Sequence, residues 1–329
     1  MNIALTGDLM LGRLVDREVI TNIDLPPATL WGDVLPVLLA ADLRLANLEC
    51  VISHRGSKWR PLAKAFHFRV HPRAIDVLRA ARIDCATLAN NHVLDYGVQA
   101  FSDCLTLLDQ AGIRRAGAGR RLAEALEPVR LEGASGRVAV IALTDNEPEW
   151  EATETGPGVN YVAYDIRGLA EPYRRRLAEV IGQARRDAGL VIVSAHVGPN
   201  WGKPSQAMRA LAHDLLELGA DVYWGHSNHT PQGIELYKNK VVLYSTGDFV
   251  DDYAVHPTER NDLSFLFVLE TEADRLARIR LHPVAIEDCR VRMAHGEEAA
   301  FLRTSMQKKC AAFGSRLDFH DHVGTIEVG

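Results

Sequence analysis

Five short segments bring metal-ligating or proton-transferring side chains to the point where an apolar run ends: Gly7-Asp8, Asn47-Leu48-Glu49, Asn90-Asn91-His92, His196 and Gly225-His226-Ser227-Asn228-His229. Asp8 and Glu49 offer anionic oxygens, Asn91 a neutral oxygen, and His196, His226 and His229 imidazole nitrogens. That mixture suits a divalent cation such as Mn, Fe or Zn, or Ca or Mg where oxygen dominates. None of the five cysteines joins the set. Each residue has an ordinary alternative: an Asp after a strand can cap a turn, and a lone His can be a hydrogen-bonded core residue. Their number and order carry the reading, because two imidazoles crowded into one turn need a shared partner.

Side chains so far apart in sequence can meet only if a scaffold gathers them. Short β-rich runs alternate with longer segments of helical period, the pattern of a layered α/β sheet. Strands are expected at Ile3 to Thr6, Leu43 to Leu48, Cys85 to Leu88, Val138 to Leu143, Leu190 to Ala195, Val222 to Trp224 and Val241 to Tyr244. Helices are expected at Leu30 to Ala40, Pro72 to Ala81, Val98 to Ala111, Leu169 to Arg186 and Ser205 to Leu218. Leu263 to Leu269 and Ala277 to His282 read as a hairpin. Two facing sheets covered by helices follow, with the ligands on loops at strand ends, where α/β proteins form their crevices.

The 329 residues show no linker-like stretch, so one domain spanning 1–329 is expected. Hydrophobic residues make up 47% and charged residues 24%, enough apolar surface for a large core. A net charge of -6 argues against nucleic acid as the partner. Dispersed cysteines, an N-terminus that reaches Gly7-Asp8 at once, and the lack of a long apolar run together suggest a cytoplasmic protein with no membrane partner.

The motifs Gly7-Asp8-Leu9-Met10-Leu11-Gly12, Asn47-Leu48-Glu49, Leu88 through Gly97, Ser194-Ala195-His196, Gly225 through Gly233 and Tyr244 through Val250 occur in the order of the CapA family, named for poly-γ-glutamate capsule synthesis, and over about residues 1 to 270 the chain resembles it. That family belongs to the calcineurin-like metallophosphatase superfamily. The resemblance implies a calcineurin-like metallophosphatase fold, with two facing mixed β-sheets flanked by helices. It also implies a metal site of Asp8, Glu49, Asn91, His196, His226 and His229, with His92 as an acid/base residue oriented by Asp95. Calcium or manganese, as one ion or two, is the implied cofactor. Four positions depart from the superfamily pattern: Met10 stands where a His is usual, Glu49 for a bridging Asp, Asn228 for a Pro and Asp248 for an Asn. The loss of a nitrogen ligand at Met10 argues against efficient two-metal phosphodiester cleavage.

Within the family the chain is similar to lasso-peptide epimerases, which invert the Cα of the C-terminal Trp of a ribosomal precursor peptide. That similarity implies two acid/base groups, for which His92 with Asp95 and His295 with Asp252 are the expected pairs, and a peptide partner. The alternatives are a metal-dependent phosphoesterase or amide hydrolase, and a binding module that kept the fold without catalysis.

Overall fold

Strands that alternate between two buried faces must be covered on both sides, and the long apolar runs of this sequence are laid out that way. A computed structural model describes residues 1–60, 64–272 and 275–328. Its larger sheet has ten strands, in the order Asp318–His320, Val323–Glu327, Arg275–Glu287, Leu263–Glu272, Asn2–Leu9, Leu43–Leu48, Cys85–Thr87, Arg114–Ala116. Asp248–Val250 pairs with Asn2–Leu9, and Arg290–Met293 with Arg275–Glu287. The second sheet has six strands, in the order Ile234–Tyr237, Lys240–Leu243, Val222–His226, Leu190–His196, Gly136–Thr144, Val129–Gly133. Both mix parallel and antiparallel neighbours.

Side-chain period 2 divides the second sheet between two cores. Val138, Val140, Ala142, Ile192, Val222 and Trp224 face the larger sheet and share one cluster with Ile3, Leu5 and Leu45. Ala139, Ile141, Leu143, Val191 and Val193 face the opposite way, onto Leu177, Ile181, Leu211 and Leu215 of helices Tyr173–Arg185 and Gln206–Glu217. This is the pair of facing mixed sheets flanked by helices that the resemblance implies.

The expected strands are found, with shifted ends that matter for the site. Asn2–Leu9 runs past Thr6, and Leu190–His196 and Val222–His226 end on histidines, so Asp8, His196 and His226 are strand residues rather than loop residues. The first strand lengthens because a neighbouring chain segment satisfies its last backbone groups: Asp8 N donates to Gly247 O and Met10 N to Val250 O, each at 2.9 Å. The helix expected from Leu169 begins at Tyr173, since Gly168–Leu169 pairs as a short strand ahead of Pro172. The helix expected over Leu30 to Ala40 is instead a 3-10 segment, Pro27–Val34, kinked at Gly32, followed by the α-helix Leu35–Ala40. The hairpin forms as Leu263–Glu272 against Arg275–Glu287. A final helix, Gly296–Ala311, was not expected, although Ala299, Leu302, Met306 and Cys310 bury one face at helical spacing. Among the described residues, no helix is long and apolar enough to cross a membrane.

Segment Tyr244 to Asp248 crosses both sheets at the ligand-bearing strand ends, and two glycines let it approach. A Cβ on Gly7 would lie 2.1 Å from Gly247 O, and one on Gly225 would lie 2.2 Å from Tyr244 O. We therefore expect Gly225→Ala to lose about 1–3 kcal/mol of stability in urea denaturation, through overpacking against backbone that cannot rotate away. Gly182→Ala, in mid-helix with nothing within 4 Å of an added Cβ, should be neutral or stabilising. Equal effects at the two positions would contradict the close-approach account.

Candidate metal and acid–base site

The strand ends converge on three side chains whose ligand atoms lie within 4.8 Å of one another: Asp8, Glu49 and His196. Asp8 reaches this point from the first strand of the larger sheet, Glu49 from just beyond Leu43–Leu48, and His196 from the end of a strand of the second sheet. Asp8 Oδ1 accepts from Asn47 Nδ2 at 2.8 Å and from His226 Nδ1 at 2.6 Å, while Asp8 Oδ2 accepts from Ser227 N at 3.2 Å. His196 Nε2 stands 3.7 Å from Glu49 Oε1, which is also 3.8 Å from His92 Nε2.

Five buried atoms here have no hydrogen-bond partner among the described residues: Glu49 Oε2, Asn91 Oδ1, His196 Nε2, His226 Nε2 and Asp248 Oδ2. Unpaired buried polar atoms are costly, and five from one neighbourhood are of the types that a divalent ion takes as donors. The electrostatics agree. Burial works to raise the Asp8 carboxyl, but the charges of His226 and His196 and the bonds from His226 and Asn47 outweigh it and hold it at about 2. Burial, then the charges of Asp8 and Asp248, push Glu49 well above the usual carboxylate range. Burial takes His196 down to about 3. A group of carboxylates that cannot all ionise without a counter-charge is relieved by a cation, so the residues present fit one.

His92 Nδ1 lies 2.6 Å from Asp95 Oδ2, the pairing expected from the sequence. Burial outweighs Asp95 and lowers the imidazole to about 4, leaving it neutral at pH 7. Asp95 also accepts from Phe68 N and is paired at 2.8 Å with Lys64 Nζ, which in addition donates to the carbonyl of Asn91. His229, expected among the ligands, is held by a carboxylate. Its Nδ1 lies 3.0 Å from Asp248 Oδ1, and the Asp248 charge and hydrogen bond overcome burial to raise it. It forms a second imidazole–carboxylate dyad on the wall of the cavity.

That cavity, of about 330 Å³, is lined by Glu49, Asn91, His92 and His229 together with Arg13, Phe66, Phe68, Trp201 and Tyr253. A larger one of about 610 Å³ lies near Arg114, Arg115 and Arg120, away from the strand ends, with Arg115 and Arg120 paired to Asp109 and Glu124.

The expected pairing of His295 with Asp252 is not made. His295 precedes the final helix with its side chain 74% exposed, and its nearest carboxylate is Asp33 at 3.8 Å. Asp252 is buried, accepts from Leu14 N at 2.9 Å and meets Arg13 Nε at 3.2 Å. Three contributors escaped the sequence reading: Asn47 as the bridge between Asp8 and its surroundings, Asp248 as the partner of His229, and Lys64 behind Asp95. The first two sit inside quoted motifs, so proximity to the ligands was an available signal; Lys64 offered none.

The model of the family described as bacterial capsule synthesis protein PGA_cap matches residues 2–253. A probable polyglutamine synthesis accessory protein of Mycobacterium tuberculosis is 33% identical over 306 residues, covering 87% of this chain and 78% of that protein. The PGA biosynthesis protein CapA of Bacillus subtilis is 27% identical over 255 residues, covering 77% and 63% respectively. Among solved structures, a phosphatase of Mycoplasma pneumoniae aligns at 12% identity with a TM-score of 0.47, over 89% of this chain and 90% of its own. The motif order seen in the sequence and the extent of the match agree: the chain belongs to the bacterial capsule synthesis protein family PGA_cap, the family of CapA.

Proposed function

We propose that this protein is a divalent-metal-dependent peptide epimerase that inverts the Cα of the C-terminal residue of a ribosomal precursor peptide, a Trp in the lasso-peptide class. One observation carries the reading: two imidazole–carboxylate dyads, His92–Asp95 and His229–Asp248, line a single aromatic cavity at the Asp8–Glu49–His196 cluster. Inversion needs one group to take a proton from Cα and another to return one to the opposite face. His92, with Nδ1 held by Asp95, is left with Nε2 to accept the proton. His229, whose pKa the Asp248 carboxylate raises against the opposing effect of burial, returns one, the role expected of His295.

Asp8, Glu49, Asn91, His196 and His226 would hold the ion. When bound, it supplies positive charge that makes a Cα–H beside a carboxylate more acidic. The cavity lies at the small end of the range for ligand sites, roughly 300–1,000 Å³, which suits one aromatic residue better than a stretch of polymer. Phe66, Phe68, Trp201 and Tyr253 supply its apolar walls.

A second reading has its own support. His92 Nε2 stands 3.8 Å from Glu49 Oε1, at the cluster itself, where an imidazole can also serve hydrolysis of an amide or phosphate ester.

Two measurements test these readings. Protein stripped with chelator and titrated with Mn²⁺ should gain about 2.7 kcal/mol of unfolding free energy at a hundredfold excess over Kd. The Asp8→Ala/His226→Ala double variant should gain none; an equal gain would remove the metal assignment. A peptide ending in Trp, incubated with the protein in D₂O, should gain one deuterium (about one mass unit) at Cα and become a mixture of D and L forms. His92→Gln should abolish both changes and His295→Ala should preserve them. Cleavage of a peptide bond or an aryl phosphodiester without exchange would replace epimerisation with hydrolysis.

A further inference from the structure

Arg13 is the cation of the cavity that no dyad or ligand set employs. It opens the short helix Arg13–Val15 directly after Gly12, and its backbone φ is 55°. Arginine rarely occupies the left-handed region, where a side chain crowds its own backbone, and such strain persists only where surrounding contacts hold it. Here Asp252 supplies them: its buried carboxylate accepts from Leu14 N at 2.9 Å and takes Arg13 Nε at 3.2 Å. The guanidinium is thereby turned over three rings, with Cζ 5.8 Å from the centroid of Phe66, 5.9 Å from Phe68 and 6.0 Å from Tyr253. No hydrogen bond from its terminal amino groups is found among the described residues, and its side chain is 39% exposed on the cavity side.

A guanidinium held at Nε by a buried carboxylate, with its terminal N–H groups directed away, is built to receive a second anion. The rings of Phe66, Phe68 and Tyr253 hold the guanidinium in this orientation. The geometry points to Arg13 as the residue that selects a substrate by its free carboxylate, with Asp252 as the residue that positions it. The inference rests on the proposed reading of the site as one that takes the carboxyl end of a peptide, and it gives buried Asp252 a role that contact with His295 does not.

N-acetyl-L-tryptophan and N-acetyl-L-tryptophanamide differ only in that charge, so ligand-observed NMR titration of both against the full-length protein as purified isolates it. The unaltered protein should bind the acid about tenfold more tightly than the amide. Arg13→Met should lose that preference while binding the amide as before, Arg13→Lys should restore part of it, and Asp252→Asn should weaken it without affecting the amide. Equal binding of the two probes by the unaltered protein would overturn the assignment. So would an Arg13→Met variant that keeps the preference, or one that loses both ligands alike while Arg13→Lys and Asp252→Asn behave as the parent. Failure of the epimerase reading is seen separately, as absence of deuterium exchange. Acid selection through Arg13 without exchange leaves the assignment standing and removes the reaction; exchange without Arg13-dependent selection does the reverse.

Discussion

The Asp8 carboxylate joins the two halves of the molecule. It lies in a strand of the larger sheet, yet it is bonded to His226 and Ser227 of the second sheet and to Asn47 of its own. Asn47 continues the connection, since its Oδ1 accepts from Thr87 Oγ1 at 3.1 Å, and Ser194 of the second sheet reaches that same Thr87 hydroxyl at 3.2 Å. Polar groups so deeply buried are stable only when nearly all are satisfied, and Glu49 Oε2, His196 Nε2 and His226 Nε2, which are not, belong to residues of the cluster and its immediate surroundings. The hydrogen bonds thus fix where the two sheets meet, and the unsatisfied atoms fix where charge must be supplied.

Negative charge is concentrated in one place by this arrangement. Asp8, Glu49, Asp248 and Asp251 are all buried there, and two of the surrounding imidazoles, His92 and His196, are lowered by the same burial. Burial and the charge of Asp248 push Asp251 up, as burial and Asp8 push Glu49 up. Cationic side chains stand around this core: Lys64 behind Asp95, and Arg13 beside Asp252. A site that is anionic at its floor and cationic at its rim can take a metal below and an anionic substrate above without either competing for the other's partners.

Much of this was legible in the sequence because strand period and ligand chemistry are local properties. Leu43–Leu48 was delimited to the residue, and the order of the motifs alone identified the family; of the six ligands it implied, Asp8, Glu49 and His196 come together within 4.8 Å. The pairing of His92 with Asp95 was legible as well, since they stand three positions apart in one turn. Contacts between distant segments were harder. His295 and Asp252 each looked suited to acid/base work, but their partners, Asp33 and Arg13, are set by the packing of a 3-10 segment and of a strained residue after Gly12 that no periodicity announces. Asp248 was noticed as a departure from a pattern, whereas its consequence, a second dyad with His229, depends on how tightly the chain crosses Gly7 and Gly225.

The central claim is that the two sheets exist in this register to hold a cation between their strand ends. Anomalous diffraction from crystals grown with Mn²⁺ measures this directly. A peak bounded by Asp8, Glu49, Asn91, His196 and His226, with Glu49 Oε2, Asn91 Oδ1, His196 Nε2 and His226 Nε2, which lack hydrogen-bond partners among the described residues, directed at it, is the predicted result. A well-ordered site with those side chains bonded only to one another and to water, and any manganese bound elsewhere, would contradict it.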